Sequence, residues 1–327
     1  MSTSSELDNL YRGFVPPAHT AAIAPGVCAT VQPDGSWGLS NAGFVFDGGE
    51  VCVIDTLLTE GRTRSFRDEV RRYTGQEAVS YVVNTHHHSD HTFGNFVFEE
   101  AVIVGHVVCR EEVLNVGLSP MRKDPFVPWG DIRLRPPEVT FEDRLEIHLG
   151  ATRIELIHVG PAHTRDDVIV WLPQPRVLFA GDVLFNAGTP ILTDGSLAGS
   201  IAALDLMESL NPSVIVPGHG ELAGGAQIES WRSYFEFLSR AATRASDRDI
   251  SPLQAARELD LGEFRDWVNP ERIVLNLHRA IAEVRGAAPG AVLDSAEIFA
   301  DMLRFDPTAY GHKLVDGRET YVEKENA

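Results

Sequence analysis

Polar and apolar positions along this chain follow two different periods. In the first half, short apolar blocks or alternating positions dominate. "VCATVQ", "WGLSNAGFVFD" and "EVCVIDTLL" are rich in β-branched and aromatic residues and are broken by Gly and Asp, which predicts strands. Over residues 60 to 74 the period lengthens: Leu58, Phe66, Val70 and Tyr73 fall near helical spacing and predict a helix. "AVSYVVNT" and "AVIVGH" return to strand character. The second half repeats the theme. "RLEIHLG", "TRIELIHVG", "DVIVWLP" and "RVLFAGD" read as strands with short turns between them. A helix is expected from about 200 to 210, bounded by Ser200 and by Asn211-Pro212. "SVIVPGHG" is a further strand, and a helix around 226 to 244 places Ile228, Trp231, Phe235 and Leu238 on one side. Strands followed by a helix thus occur twice, pointing to two similar α/β halves.

After Ile250 the pattern becomes helical. "NPERIVLNLHRAIAEVRG" opens with Asn269 as the expected N-cap and Pro270 at the first helical position. Ile273, Leu277, Ile281 and Val284 mark its expected buried face. The expected organisation is an N-terminal segment over 1–24, an α/β domain over 25–250, a helical extension over 251–305 and a polar tail over 306–327.

Composition narrows the options. The 327 residues are 43% hydrophobic and 23% charged, which suits a globular chain with a large core. No apolar run approaches the ~18 residues a bilayer span needs. The start, "MSTSSELDNLYRGFVPPAHT", lacks the basic and apolar regions of a signal peptide. Cys28, Cys52 and Cys109 are scattered and odd in number, which fits reduced thiols and a cytoplasmic location. A net charge of −19 repels phosphate backbones and argues against nucleic acid. The one arginine-rich stretch, "EGRTRSFRDEVRRYTG", mixes Arg62, Arg64, Arg67, Arg71 and Arg72 with acids. It reads as a solvated helix face, with a docking face for an acidic partner as the alternative.

The candidate chemistry lies in "NTHHHSDHTFGNFVF", residues 84 to 98. His86 and His88 are two apart, so both lean the same way from an extended strand end while His87 points the other way. Asp90 and His91 complete the pattern H-x-H-x-D-H. Imidazole nitrogen and carboxylate oxygen are the ligands that borderline metals such as zinc take. Further donors stand at three later strand ends: His163 in "HVGPAHTRDD", Asp182 in "LFAGDVLF" and His219 in "IVPGHGE". Strand ends converge on one rim of an α/β sheet, where chemistry is usually sited. Together the donors exceed what one ion needs, and a carboxylate can bridge two, so the set implies a binuclear site. His106, His148 and His158 are expected to be packed, hydrogen-bonded histidines rather than ligands. "SPMRKDPFVPWGDIRLRPP", residues 119 to 137, is expected to flank the site. Phe126, Trp129, Phe185 and His278 are candidate contacts for a flat apolar substrate.

This ordered set resembles the metallo-β-lactamase superfamily over roughly residues 25 to 245. The resemblance implies a four-layer αββα sandwich, an α/β fold, here with a C-terminal helical extension. It implies that His86, His88 and His163 hold one metal, that Asp90, His91 and His219 hold a second, and that Asp182 bridges them. Asp55, ending "VCVIDT", is similar to the acidic residue that orders the histidine turn. The implied cofactors are two zinc ions, with iron or manganese as alternatives. β-Lactamases of the superfamily usually carry cysteine or serine where Asp182 stands, so antibiotic hydrolysis is not the expectation. Iron-based oxygen reductases carry glutamate at the position of His88, which argues against them. "LRPPEVTFEDRLEIHLG", "IELIHVGPAHTRDDVIVWLPQPRVLFAGDVLF" and "LQAARELDLGEF" also resemble the metallo-β-lactamase-type cyclases of aromatic polyketide biosynthesis. That resemblance implies ring closure by aldol chemistry and thioester cleavage on a small or acyl-carrier-bound polyketide, with Asp90 moving a proton. The alternatives are a metallo-hydrolase of a lactone, glutathione thioester or other small ester, a mononuclear iron dioxygenase of persulfides, and a metal-stabilised binding protein. No membrane partner is expected, and a homo-oligomer is compatible with the sequence.

Overall fold

The computed structural model describes residues 17–123, 127–307 and 309. Its first sheet follows chain order: β1 (His19–Ala24), β2 (Val27–Val31), β3 (Ala42–Asp47), β4 (Glu50–Ile54), β5 (Tyr81–Val83), β6 (Val102–His106) and β7 (Val139–Phe141). The first four strands pair antiparallel; β4 to β7 pair parallel. Parallel neighbours need a crossover. Helix α1 (Glu60–Thr74) supplies it between β4 and β5, and α2 (Val107–Val116) lies between β6 and β7. Between β5 and β6 the crossover is the histidine turn itself, one helical turn at Ser89–Thr92 followed by a 3-10 turn at Phe93–Val97.

The second sheet has the order β12-β11-β10-β9-β8, with β8 (Arg144–Leu149), β9 (Thr152–His158), β10 (Val168–Leu172), β11 (Val177–Phe185) and β12 (Val214–His219). Only β11 and β12 pair parallel, and α3 (Leu197–Leu210) makes that crossover. Helices α4 (Ile228–Asp247), α5 (Pro252–Glu258), α6 (Ile273–Val284) and α7 (Ser295–Phe305) complete the chain.

Three apolar layers hold these elements together. Between the sheets, Val45, Cys52, Ile54 and Val83 pack with Ile154, Leu156, Val170 and Phe179. Outside the first sheet, Phe66 and Val70 of α1 join Phe44, Val53, Val82 and Ile103. Outside the second, α3, α4, α6 and α7 share one cluster with Ile169, Leu178 and Ile215. Each sheet buries one face against the other and one against helices, which is the αββα order expected from the sequence.

Local chemistry explains most element boundaries. Helix α1 begins where the Thr59 side chain accepts from Arg62 N, and it ends at Gly75, whose φ of 68° lets its N–H reach Arg71 O. Several expectations are corrected. The cap of α3 is Ser196, not Ser200. Ser196 Oγ accepts from Gly199 N, whereas Ser200 lies within the first turn and donates its hydroxyl to Ser196 O. Asn269 adopts φ 55° with no side-chain cap, and Pro270–Arg272 makes a 3-10 turn before α6 starts. Val284 is 44% exposed, unlike Ile273, Leu277 and Ile281 on the buried face. Within "WGLSNAGFVFD" only Ala42–Asp47 is strand, because the preceding bend sends the Asn41 side chain to Pro217 O and Gly220 O. Strand β1, strand β7 and helix α2 were not expected. The half-polar "HTAAIA" of β1 and the "VV" opening of α2 carry little of the period that marks their class.

The arginine stretch matches its bland reading. Arg64 pairs with Glu60, Arg67 with Glu100, Arg71 with Glu77 and Arg72 with Glu69 on the exposed face of α1. Among the described residues no helix is long and apolar enough to cross a membrane.

Candidate metal centre

Donors from both sheets meet at one end of the sandwich, and backbone bonds fix that meeting. Val168 N donates to Thr85 O at 2.8 Å and Asn41 N to Gly218 O at 2.6 Å, each joining the two sheets. Asp55 follows β4 in the left-handed region at φ 57°. Its carboxylate accepts from Thr85 N (2.7 Å), from Thr85 Oγ1 (2.7 Å) and from His91 Nδ1 (2.8 Å). That last bond holds a proton on His91 Nδ1, so Nε2 is the nitrogen that would face a metal ion. Asn84 Nδ2 donates to His91 O at 2.9 Å, and Asn84 and Asn95 bond each other through their amides. The turn is therefore built from inside, with His86 and His91 fully buried.

The remaining donors arrive from the second sheet. His163 sits in the loop between β9 and β10, where Asp167 accepts from Ala162 N, Thr164 N and Thr164 Oγ1. His163 Nδ1 donates to Ile191 O at 2.6 Å. Asp182 lies inside β11, facing Gly218 of β12. A Cβ at Gly218 would stand 2.0 Å from Asp182 Oδ1, so only glycine admits the carboxylate there. His219 ends β12, with Nδ1 at 3.1 Å from Gly35 O and its ring stacked on Phe185 (centroids 4.7 Å apart, planes at 2°).

Two sets of donor atoms result. One atom each from His86, His88, His163 and Asp182 lie within 4.8 Å of one another, as do one each from Asp90, His91 and His219. Asp182 reaches across. Its Oδ2 is 3.8 Å from His86 Nε2, 3.4 Å from His163 Nε2 and 3.4 Å from His219 Nε2, while Oδ1 is 3.0 Å from His91 Nε2. Asp90 Oδ2 lies 3.4 Å from His219 Nε2. The structure thus brings His86, His88, His163 and Asp182 into one group that could hold a metal ion and Asp90, His91 and His219 into another, with Asp182 reaching both. His88 and Asp90 are the least buried, at 29% and 14% side-chain exposure, so the cluster opens to solvent on their side.

The donors fit divalent cations. Buried polar atoms normally have hydrogen-bond partners. His86 Nε2, His91 Nε2 and Asp182 Oδ1 are buried without any, although the last two face each other at 3.0 Å. Orphaned lone pairs converging on one space are what a metal ion would satisfy, and the imidazole–carboxylate set without thiolate suits zinc, iron or manganese.

Protonation follows burial and neighbours. Burial holds His86 well below the ordinary imidazole range and His163 down at about 4, against the pull of Asp182 in both cases. Burial also opposes charge on His91 and His219. There the carboxylate of Asp182 wins, with Asp55 and Asp90 adding at His91 and Asp90 at His219, and both are raised. Asp90 is held at about 2: burial pushes it up, but His91 and His219 pull it down further.

Other expected residues are placed as follows. His87 turns away to Asp166 Oδ1 at 2.7 Å. His106 caps α2, Nδ1 accepting from Val108 N, and stacks on His158 at 4.0 Å. His148 corrects the expectation of a packed ring: it is 69% exposed beside Glu146. Trp129 is 9% exposed and packs edge-on against Phe93 in the core under α1, not on a substrate surface. Phe185 is 1% exposed and backs His219 rather than an open pocket. His278 pairs with Asp301 of α7 at 3.0 Å. Phe126 lies outside the described residues. Sequence reasoning missed Asp166, Asp194 and the Asn84–Asn95 pair. Asp166 and Asn84 stand inside the quoted motifs, three residues after His163 and two before His86, where a polar residue beside an apolar strand was the available signal. Asp194 Oδ2, 3.9 Å from His88 Nε2, had none.

Comparison with known proteins agrees with this geometry. A profile of the metallo-beta-lactamase superfamily matches residues 35–219. The chain is similar to a type 2 metallo-beta-lactamase of Bacteroides fragilis, 25% identical over 200 residues, covering 59% of this chain and 74% of the relative. It is similar to a hydroxyacylglutathione hydrolase of Brucella anthropi, 27% identical over 202 residues, covering 58% of this chain and 68% of the relative. Of two further relatives it spans only about half, 54% and 48% of their length. Among solved structures, a metallo-beta-lactamase from Pontibacter korlensis superposes with a TM-score of 0.56 at 21% identity, covering 67% of this chain and 99% of that one, a likeness of fold.

Proposed function

This chain belongs to the metallo-beta-lactamase superfamily, a family of metal-dependent hydrolases, and on that premise we propose that it hydrolyses acyl thioesters or related esters at a dizinc centre. The observation that carries the reading is Asp182, whose two oxygens reach donor atoms of both trios. Two divalent ions held there would acidify a shared water and polarise the substrate carbonyl. The chain's own residues do the rest. His86 and His163, kept neutral by burial, offer lone pairs without first losing a proton. Asp55 and Ile191 O orient His91 and His163. Asp90, partly exposed at the open side, is the carboxylate placed to receive a proton from the attacking water. Phe185 closes the wall behind His219. The hydroxyacylglutathione hydrolase relative supports a thioester substrate. The buried, unpaired cysteines support a reducing, cytoplasmic setting.

A second reading uses the same centre for polyketide ring closure with thioester release, favoured by the stretch from Ile154 to Phe185 that resembles the aromatic cyclases. A carrier-bound substrate would need a basic face. Arg67 and Arg71 are already paired with Glu100 and Glu77, which weighs toward a free thioester. The test is turnover by zinc-loaded protein on a glutathione thioester, a lactone, a carrier-bound polyketide and a β-lactam. Thioester cleavage that chelation abolishes and zinc restores is expected, with His163→Ala folded and inactive. Two bound metals with no turnover on any carbonyl substrate would refute the proposal. One bound iron would favour the dioxygenase alternative, and a His163→Ala chain that unfolds would favour a binding protein.

A further inference from the structure

Helix α6 carries three buried polar side chains, Arg272 just before its start and Asn276 and Arg279 within it, that are 1%, 0% and 0% exposed. At 100° per residue they share one face. All three grip the same short segment, residues 189 to 193. Arg272 donates to Thr189 O at 3.0 Å. Asn276 Nδ2 donates to Pro190 O at 2.9 Å, and Asn276 Oδ1 accepts from Leu192 N at 3.0 Å. Arg279 Nε donates to Leu192 O at 3.2 Å, and its Nη2 donates to Thr193 O. Side chains of this helix therefore occupy the carbonyls of Thr189, Pro190, Leu192 and Thr193. The carbonyl between them, Ile191 O, accepts from His163 Nδ1. The next residue, Asp194, brings its carboxylate to 3.9 Å from His88 Nε2.

We infer that α6 is the outer frame of the first metal site, and that Asn276, which brackets Ile191 on both sides, is a positioning residue for His163. A buried amide and two buried guanidinium groups are costly to place in a core, and each here puts at least one hydrogen bond on the segment that carries Ile191 O, while Asn276 also bonds the Tyr234 hydroxyl and Arg279 also bonds Ala291 O. Partners that fix the second nitrogen of a ligating imidazole set its tautomer and orientation, and their loss weakens metal binding by about 10–100-fold. The frame comes from the segment beyond residue 250, outside the stretch matched to the superfamily, so this site is completed by a part of the chain that carries no ligand. The inference rests on the proposed metal centre, and metal binding rather than turnover separates the two.

The test is competitive zinc titration of the full chain, with the His163 Nδ1–H resonance followed by proton NMR. Asn276→Ala is expected to lower first-site affinity about 10-fold or more, speed exchange of the His163 imino proton, and leave the second site within about twofold. Arg279→Lys, which keeps charge and one donor, should show a smaller loss of the same kind and serves if Asn276→Ala does not fold. His278→Gln removes the α6–α7 bond to Asp301 from a different face of the same helix. It should lower thermal stability while leaving first-site affinity unchanged. Folded Asn276→Ala or Arg279→Lys protein with wild-type first-site affinity overturns the inference alone, as does an equal affinity loss in His278→Gln. A wild-type chain that binds no divalent metal overturns the proposed function with it.

Discussion

Asp55 carries the histidine turn on one carboxylate. It is buried, sits at φ 57°, and collects bonds from Thr85 N, Thr85 Oγ1 and His91 Nδ1. Asp55→Asn keeps the shape but replaces one acceptor oxygen by a donor, so it faces donors it cannot satisfy and releases the His91 tautomer. Second-site metal affinity should fall about 10–100-fold, read by competition with a chromogenic chelator; wild-type affinity would mean that Asp55 does not order His91. The thiols give an opposite expectation. Burial pushes Cys28 up to about 11 and Cys52 to about 12, and it raises Cys109 well above the ordinary thiol range, with Asp166 and Asp55 adding. Thiolate is the reactive form, so a disulfide reagent should titrate none of the three in native protein and all of them in denaturant. At this scale the candidate ligands were legible because a metal would demand particular donor atoms. Asp194 and Asn276 were not, because a polar side chain that acts through a loop looks like any other until the loop is placed.

Strands and helices act here by fixing how closely two backbones approach. β11 and β12 run side by side, and Gly218 is the residue that lets Asp182 occupy the space between them. Gly218→Ala should displace Asp182, cost about 1–3 kcal/mol by urea unfolding, and abolish occupancy of at least one metal. A stable variant binding two ions would show that the strands relax instead. Helix starts depend on equally local chemistry. Ser196→Ala should cost about 1 kcal/mol of stability by removing the cap of α3, whereas Ser200→Ala should cost less at the cap because its hydroxyl only returns to Ser196 O. Periodicity located α1 and α4 closely because long amphipathic helices repeat their signal. It misjudged the start of α3 and the cap of α6, where two serines compete and where Asn269 takes a left-handed backbone instead of capping.

For the whole molecule, cations held at the proposed metal centre would also clasp the two sheets together. The first sheet supplies Asp55, His86, His88, Asp90 and His91; the second supplies His163, Asp182 and His219. A ligand that binds only the folded state stabilises it by about 2.7 kcal/mol at a concentration 100 times Kd. Chelation should therefore lower the unfolding temperature, and zinc should restore it, in a calorimetric scan; an unchanged transition would mean that the cations do not bridge the halves. The amino-acid sequence by itself located most of the strands, the long helices α1 and α4 and the candidate metal-binding side chains, and its resemblance to a known superfamily implied the αββα class. Strand alternation, helical spacing and metal coordination each need particular residues at short, fixed separations. Only the tertiary structure decided which aromatics meet the site, how α6 holds the segment from Thr189 to Thr193, and that Trp129 and His278 serve packing instead. Those outcomes join residues far apart in the chain, where spacing carries no information and the close-packed interior chooses the neighbours.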